Sequence, residues 1–74
     1  MEQLLELLQD IKPDTDFEGR TDLVSSGALK SFDIMMIITE IGDEFDVEIP
    51  VEKVVPENFE SAAAIYALIQ SLQG

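Results

Sequence analysis

A chain of 74 residues with no Cys, no His and a formal net charge of −12, from 4 Lys+Arg against 16 Asp+Glu, has room for one small domain and no second core. These counts exclude a disulfide framework, a Cys/His zinc site and most nucleophile–base pairs. The charge repels nucleic acid and anionic lipid alike, which leaves basic protein surfaces as natural partners, while 46% hydrophobic residues is too apolar for an acidic disordered tail.

In chain order, Leu4, Leu5, Leu7, Leu8 and Ile11 recur at three- and four-residue spacing, so "EQLLELLQDI" is predicted to be an amphipathic helix that Pro13 terminates. From Pro13 to Lys30 no period is sustained. Phe17, Leu23, Val24 and Leu29 nevertheless punctuate this stretch, so it is expected to be a loop pinned onto the core by those side chains. From Ser31 to Phe45 the set Ile34, Ile37, Ile38, Ile41 and Phe45 follows a 3.6-residue period and predicts the longest helix. "DVEIP" breaks it. Pro50 suits the first turn of a short helix over Val51 to Val55, which Pro56 ends. Ser61 is a good cap for a last helix, "AAAIYALIQSL", with Ile65, Leu68, Ile69 and Leu72 on one stripe and Gly74 beyond its end. The expected fold is all-α, a small four-helix bundle of three main helices and one short one, spanning residues 1–74 as a single domain. No run approaches the roughly 20 apolar residues that span a bilayer, and the acidic start "MEQLLELLQD" lacks the positive region of a secretory signal. A cytoplasmic location is expected.

"DTDFEGRTD" imitates a calcium-binding EF-hand loop, with Asp14, Asp16, Glu18, Gly19 and Asp22 at ligand and turn positions. The imitation fails at Ser25, where the bidentate Glu belongs, and at Thr21, where an apolar residue does; no second hand is present. An acidic loop turning at Gly19 is the simpler reading, and weak calcium binding stays as an alternative.

Ser31, taken alone, reads as the cap of the long helix, its oxygen accepting from an unpaired N–H of the first turn. A phosphate attached to that hydroxyl would also be stabilised by the free N–H groups and the positive end of the dipole. Projected at 100° per residue, Ile34, Ile38, Ile41 and Phe45 point inward, whereas Phe32, Met36, Thr39, Glu40 and Asp43 fall on the solvent side. Two exposed apolar side chains beside an acidic stripe are expected to form a docking face for a basic partner, the alternative being an incidental solvated face.

The block "LVSSGALKSFDIMMIITEIGDEFDVEIP", Leu23 to Pro50, resembles the core of acyl carrier proteins and their D-alanyl and peptidyl carrier relatives. The most specific piece is a glycine, a short apolar run and a serine followed by a bulky apolar residue, with "EFDVEIP" downstream. The resemblance implies that Ser31 carries phosphopantetheine, attached from coenzyme A by a phosphopantetheinyl transferase, and that acyl groups ride on the thiol of that arm. It implies a cargo handle with no catalytic residue and no metal ligand. Phe32, Met36, Glu40, Asp43 and Glu44 would be the partner-binding surface for basic acyl-transfer enzymes.

Two features depart from the family pattern. Lys30 stands where the family usually has Asp, and a cation there opposes the helix dipole by about 0.3–1 kcal/mol and offers no cap. "GALKSF" has one residue more between glycine and serine than typical fatty-acid carriers, closer to the D-alanyl and peptidyl type. The alternatives are thus an aminoacyl carrier loaded by an adenylating enzyme, or an unmodified acidic adaptor. With no linker sequence, a stand-alone monomer is expected rather than a module of a megasynthase.

Overall fold

The computed structural model describes residues 1–73; Gly74, expected just past the last helix, lies outside them. Three α-helices form where the apolar periods predict them: α1 over Glu2–Ile11, α2 over Ser31–Phe45 and α3 over Ala62–Gln73. No strand occurs among the described residues. The radius of gyration is 11.0 Å, close to the value of about 11 Å expected for one compact domain of this length. None of these helices is long and apolar enough to cross a membrane.

Each helix ends for a local reason. The α1 ladder stops at Lys12, whose N–H still reaches the Leu8 carbonyl at 2.9 Å, because Pro13 has no N–H with which to continue. α2 stops at Asp46, which turns left-handed (φ 54°, ψ 47°) and frees the chain to run extended through "DVEIP". α3 starts on Ser61, whose hydroxyl accepts the Ala64 N–H at 3.0 Å, the cap expected from the sequence.

α1 packs on both α2 and α3, and the three enclose one core. Leu4 and Leu8, Ile37 and Ile41, and Ile65 and Ile69 are its fully buried helical members. Burying each contributes about 1.5–3 kcal/mol, the dominant favourable term in a domain this small. On α2 the deepest residues are Ile37 and Ile41, whereas Ile34, Ile38 and Phe45 are half-buried at the margins.

The long loop is pinned as expected. Phe17, Leu23 and Leu29 are buried in the core, and Gly19 (φ 79°) and Gly27 (φ 86°) take the left-handed turns that side-chain-bearing residues avoid. A second fastening comes from beyond the loop. Glu60, just before α3, accepts the Leu23 N–H on its carbonyl at 2.9 Å, and the Val24 and Ser25 N–H groups on its carboxylate at 2.8 and 3.0 Å.

These bonds, the Ser25 N–H foremost, hold the Glu60 carboxyl below the usual carboxylate range despite partial desolvation and repulsion from Asp22. Asp22 is lowered too, chiefly by the Arg20 Nε–H at 3.0 Å. Because both folded values lie below the unfolded ones, the unfolded chain binds more protons in acid. The stabilisation is therefore complete above about pH 4.3 and is lost as pH falls through the lowered values. Glu60→Ala is expected to depress the thermal midpoint at pH 7 more than Glu60→Gln, which keeps one acceptor oxygen. The gap between wild type and Glu60→Gln should close in melts recorded below about pH 4.

The short helix expected over Val51–Val55 is replaced by two 3₁₀ turns, Val51–Lys53 and Pro56–Asn58. The residue before a proline avoids the helical region, and Val55 before Pro56 is accordingly extended (φ −127°, ψ 151°). That leaves space after Pro50 for one three-residue turn, closed by Lys53 N–H to Pro50 at 2.9 Å. Pro56 opens the second turn instead of merely ending the first. The Asn58 amide donates to the Lys53 carbonyl at 2.8 Å and ties the two turns together.

Candidate functional site

α2 begins without a side-chain cap. Lys30 occupies the cap position (φ −103°, ψ 173°), and an ammonium has only donors, so it cannot accept from the first turn. Half of a capping box survives. Asp33 reaches back to accept the Lys30 N–H at 3.1 Å and is in turn paired with Lys12 Nζ at 3.4 Å.

Ser31 is therefore the first residue of α2 and not its cap, a correction to the sequence expectation. A serine caps from the non-helical position before the first turn, and Lys30 holds that position. The Ser31 hydroxyl is left exposed and without a hydrogen-bond partner among the described residues. The chain has no His, and among the described residues no carboxylate is bonded to this oxygen.

Beside Ser31 opens a cavity of about 520 Å³. One wall is Ile34 and Met35 of α2. The opposite wall is Val54, Val55, Pro56 and Phe59, and Val24, Gly27 and Leu29 of the loop form the floor. Lys30 and Ser31 stand at its edge as its only hydrophilic side chains. The volume is within the range of small-molecule sites, and the lining is apolar.

The residues expected to meet partners are all exposed, and Glu40 borders both the Met36 side of α2 and the groove toward α1. Phe32 (74% exposed), Met36, Glu40 and Asp43 follow one side of α2. Glu44 is turned toward α1, where it accepts from the Gln3 amide at 3.1 Å and lines an acidic groove with Glu6, Asp10 and Glu40. Met35, at 61% exposure, and Val51, at 90%, are exposed apolar side chains that the sequence reasoning missed. Met35 was within reach of it, since the same projection places it only 60° from Phe32. Val51 follows a proline in an aperiodic stretch and had no such signal.

The acidic loop does not gather into a cation site. Asp22 is taken by Arg20, Asp16 accepts the Glu18 N–H at 3.2 Å, and no three Asp or Glu residues converge on a metal position among the described residues. Compared with protein-family models, with curated proteins and with solved structures, the chain gives no match.

Proposed function

We propose that this chain is an acyl carrier protein, a four-helix-type bundle in which the two 3₁₀ turns stand for the short helix, with Ser31 as the attachment point for phosphopantetheine. The observation that supports it most is an exposed, unbonded hydroxyl at the first residue of α2, on the edge of an apolar cavity of about 520 Å³. A hydroxyl so placed is reachable by another protein's base, and the chain itself has no His to serve as one.

In the attachment step the Ser31 oxygen attacks the phosphorus of coenzyme A that bears the pantetheine. A P–O bond to serine forms, the P–O–P link breaks, and the hydroxyl proton passes to a base of the transferase while adenosine bisphosphate leaves. When bound, the arm supplies a thiol, absent from the chain, on which acyl groups are held as thioesters. Ser31 fixes the arm at the positive end of α2, where the unpaired first-turn N–H groups favour a phosphodiester. Phe32, Met36, Glu40 and Asp43 face the transferase and the acyl-transfer enzymes, whose basic surfaces complement the charge of −12. No residue of the chain performs catalysis in this reading; the protein works as a soluble cytoplasmic monomer.

The cavity favours an acyl cargo over an aminoacyl one. An ammonium buried among Val54, Val55 and Phe59 would lack partners and cost several kcal/mol, so an aminoacyl group loaded by an adenylating enzyme would stay outside. The test is intact-mass measurement after incubation with coenzyme A and a broad-specificity transferase. One phosphopantetheine increment is expected on the wild type and none on Ser31→Ala, with unchanged melting. The absence of an increment across several transferases, including that of the host, would sink the proposal.

A further inference from the structure

All the sulfur of this chain is thioether: three methionines and no cysteine. A thiolate would normally intercept peroxide first, and here none competes. The three methionines differ in access and in surroundings. Met35 is 61% exposed, Met1 42% and Met36 37%. Met1 lines a separate groove with Leu5 and Phe17, away from α2. Met35 lies on the wall of the cavity beside Ser31, and with Met36, Thr39 and Glu40 it also borders a shallow recess of about 210 Å³. No other methionine borders both.

We infer that Met35 is a reversible oxidation site, and that its sulfoxide makes its part of the lining of the cavity beside Ser31 polar. The sulfur lone pair attacks one oxygen of a peroxide, an S–O bond forms and the O–O bond breaks. Sulfur loses two electrons, and the departing oxygen takes up the proton and leaves as water or an alcohol. The product is a polar, chiral group in place of a flexible apolar one, and a methionine sulfoxide reductase reverses it. An apolar occupant packed against Met35 must then desolvate a sulfoxide oxygen that Val54, Val55 and Phe59 cannot bond, Lys30 and Ser31 carrying the side-chain donors of the lining. The fold itself is untouched, because Met35 is outside the buried core. That such an occupant is the acyl cargo rests on the carrier reading; the oxidation site and the change at the cavity do not.

The test treats the full chain with graded hydrogen peroxide and maps sulfoxides by peptide mass spectrometry. Binding of a neutral apolar fluorophore, N-phenyl-1-naphthylamine, is titrated in parallel. Met35 sulfoxide is expected before that of Met1 or Met36, with an unchanged melting curve and fluorophore affinity weakened about fivefold to tenfold. Reductase treatment should restore the affinity. Met35→Leu, compared with itself before and after peroxide, should lose the sensitivity, and Met36→Leu should retain it. Oxidation of Met1 or Met36 ahead of Met35 overturns the site assignment. Unchanged affinity with Met35 fully oxidised overturns its effect on the cavity. Neither readout uses a transferase, so failure of the carrier reading, seen as no phosphopantetheine increment, is recognised separately.

Discussion

Phe59→Ala is expected to cost about 3–5 kcal/mol, a large share of the about 4–11 kcal/mol of stability that a chain of this length should have and all of it at the low end. Phe59 is completely buried, joins the core to the cavity wall, and its N–H closes the second 3₁₀ turn on Pro56 at 2.9 Å. Phe32→Ala removes the same ring and should change stability by no more than about 0.5 kcal/mol, because 74% of Phe32 is already in water. On the carrier reading its effect should be on recognition: transfer of phosphopantetheine to Ser31 by a partner enzyme should slow roughly tenfold, as for an aromatic anchor lost from an interface. Urea titrations of both variants beside a transferase assay on Phe32→Ala check the contrast. A Phe32→Ala variant that unfolds like Phe59→Ala would refute the exposed placement of the ring.

The second large effect is a gain. Lys30→Ser is expected to stabilise the protein by about 1 kcal/mol, because its hydroxyl can accept from a first-turn N–H that the ammonium leaves unserved. Lys30→Asp adds a favourable interaction with the α2 dipole of about 0.3–1 kcal/mol, offset in part by repulsion from Asp33, which Lys12 screens at 3.4 Å. For a domain of this size a gain of 1 kcal/mol raises the midpoint by about 4–8 °C, readily seen in a thermal melt. On the carrier reading Lys30→Asp should also be loaded faster by a generic transferase, since it restores the family's usual residue. Lys30→Ser then separates the two effects: stabilisation without faster loading shows that the carboxylate, and not the cap, is what such a transferase meets.

The three helices were legible because each carries its own apolar period and its own stop signal, from Pro13 to the cap at Ser61. The loop anchors Phe17, Leu23 and Leu29 were legible for another reason: several apolar residues spaced along one long aperiodic stretch mark a loop held to the core. Phe59 gave no such sign, standing alone in "PENFES" with no period around it. The short helix was over-read, because prolines at 50 and 56 delimit a segment without showing that it is too short for a second α-turn. Glu60 was beyond reach as well. Its bonds join residues 35 and 36 positions apart, and nothing in "NFES" distinguishes a carboxylate that fastens a loop from one that faces solvent. At the site, the exposure of Phe32 and Met36 followed from projection alone. The vacancy at the cap did not, since it depends on α2 starting one residue earlier than a capping serine requires.

The cavity beside Ser31 has walls of unequal stiffness. α2 supplies one side with fifteen residues of continuous i→i−4 ladder backed by Ile37 and Ile41, whereas facing residues 51–58 are held by two three-residue turns, the Asn58 amide and the partial burial of Val54. Short 3₁₀ pieces with exposed backbone bonds open at lower free-energy cost than a packed helix. On the carrier reading a longer occupant would therefore displace residues 51–58 at lower cost than α2. The face carrying Phe32 and Met36 then presents the same surface to a partner whether the space behind it is empty or full.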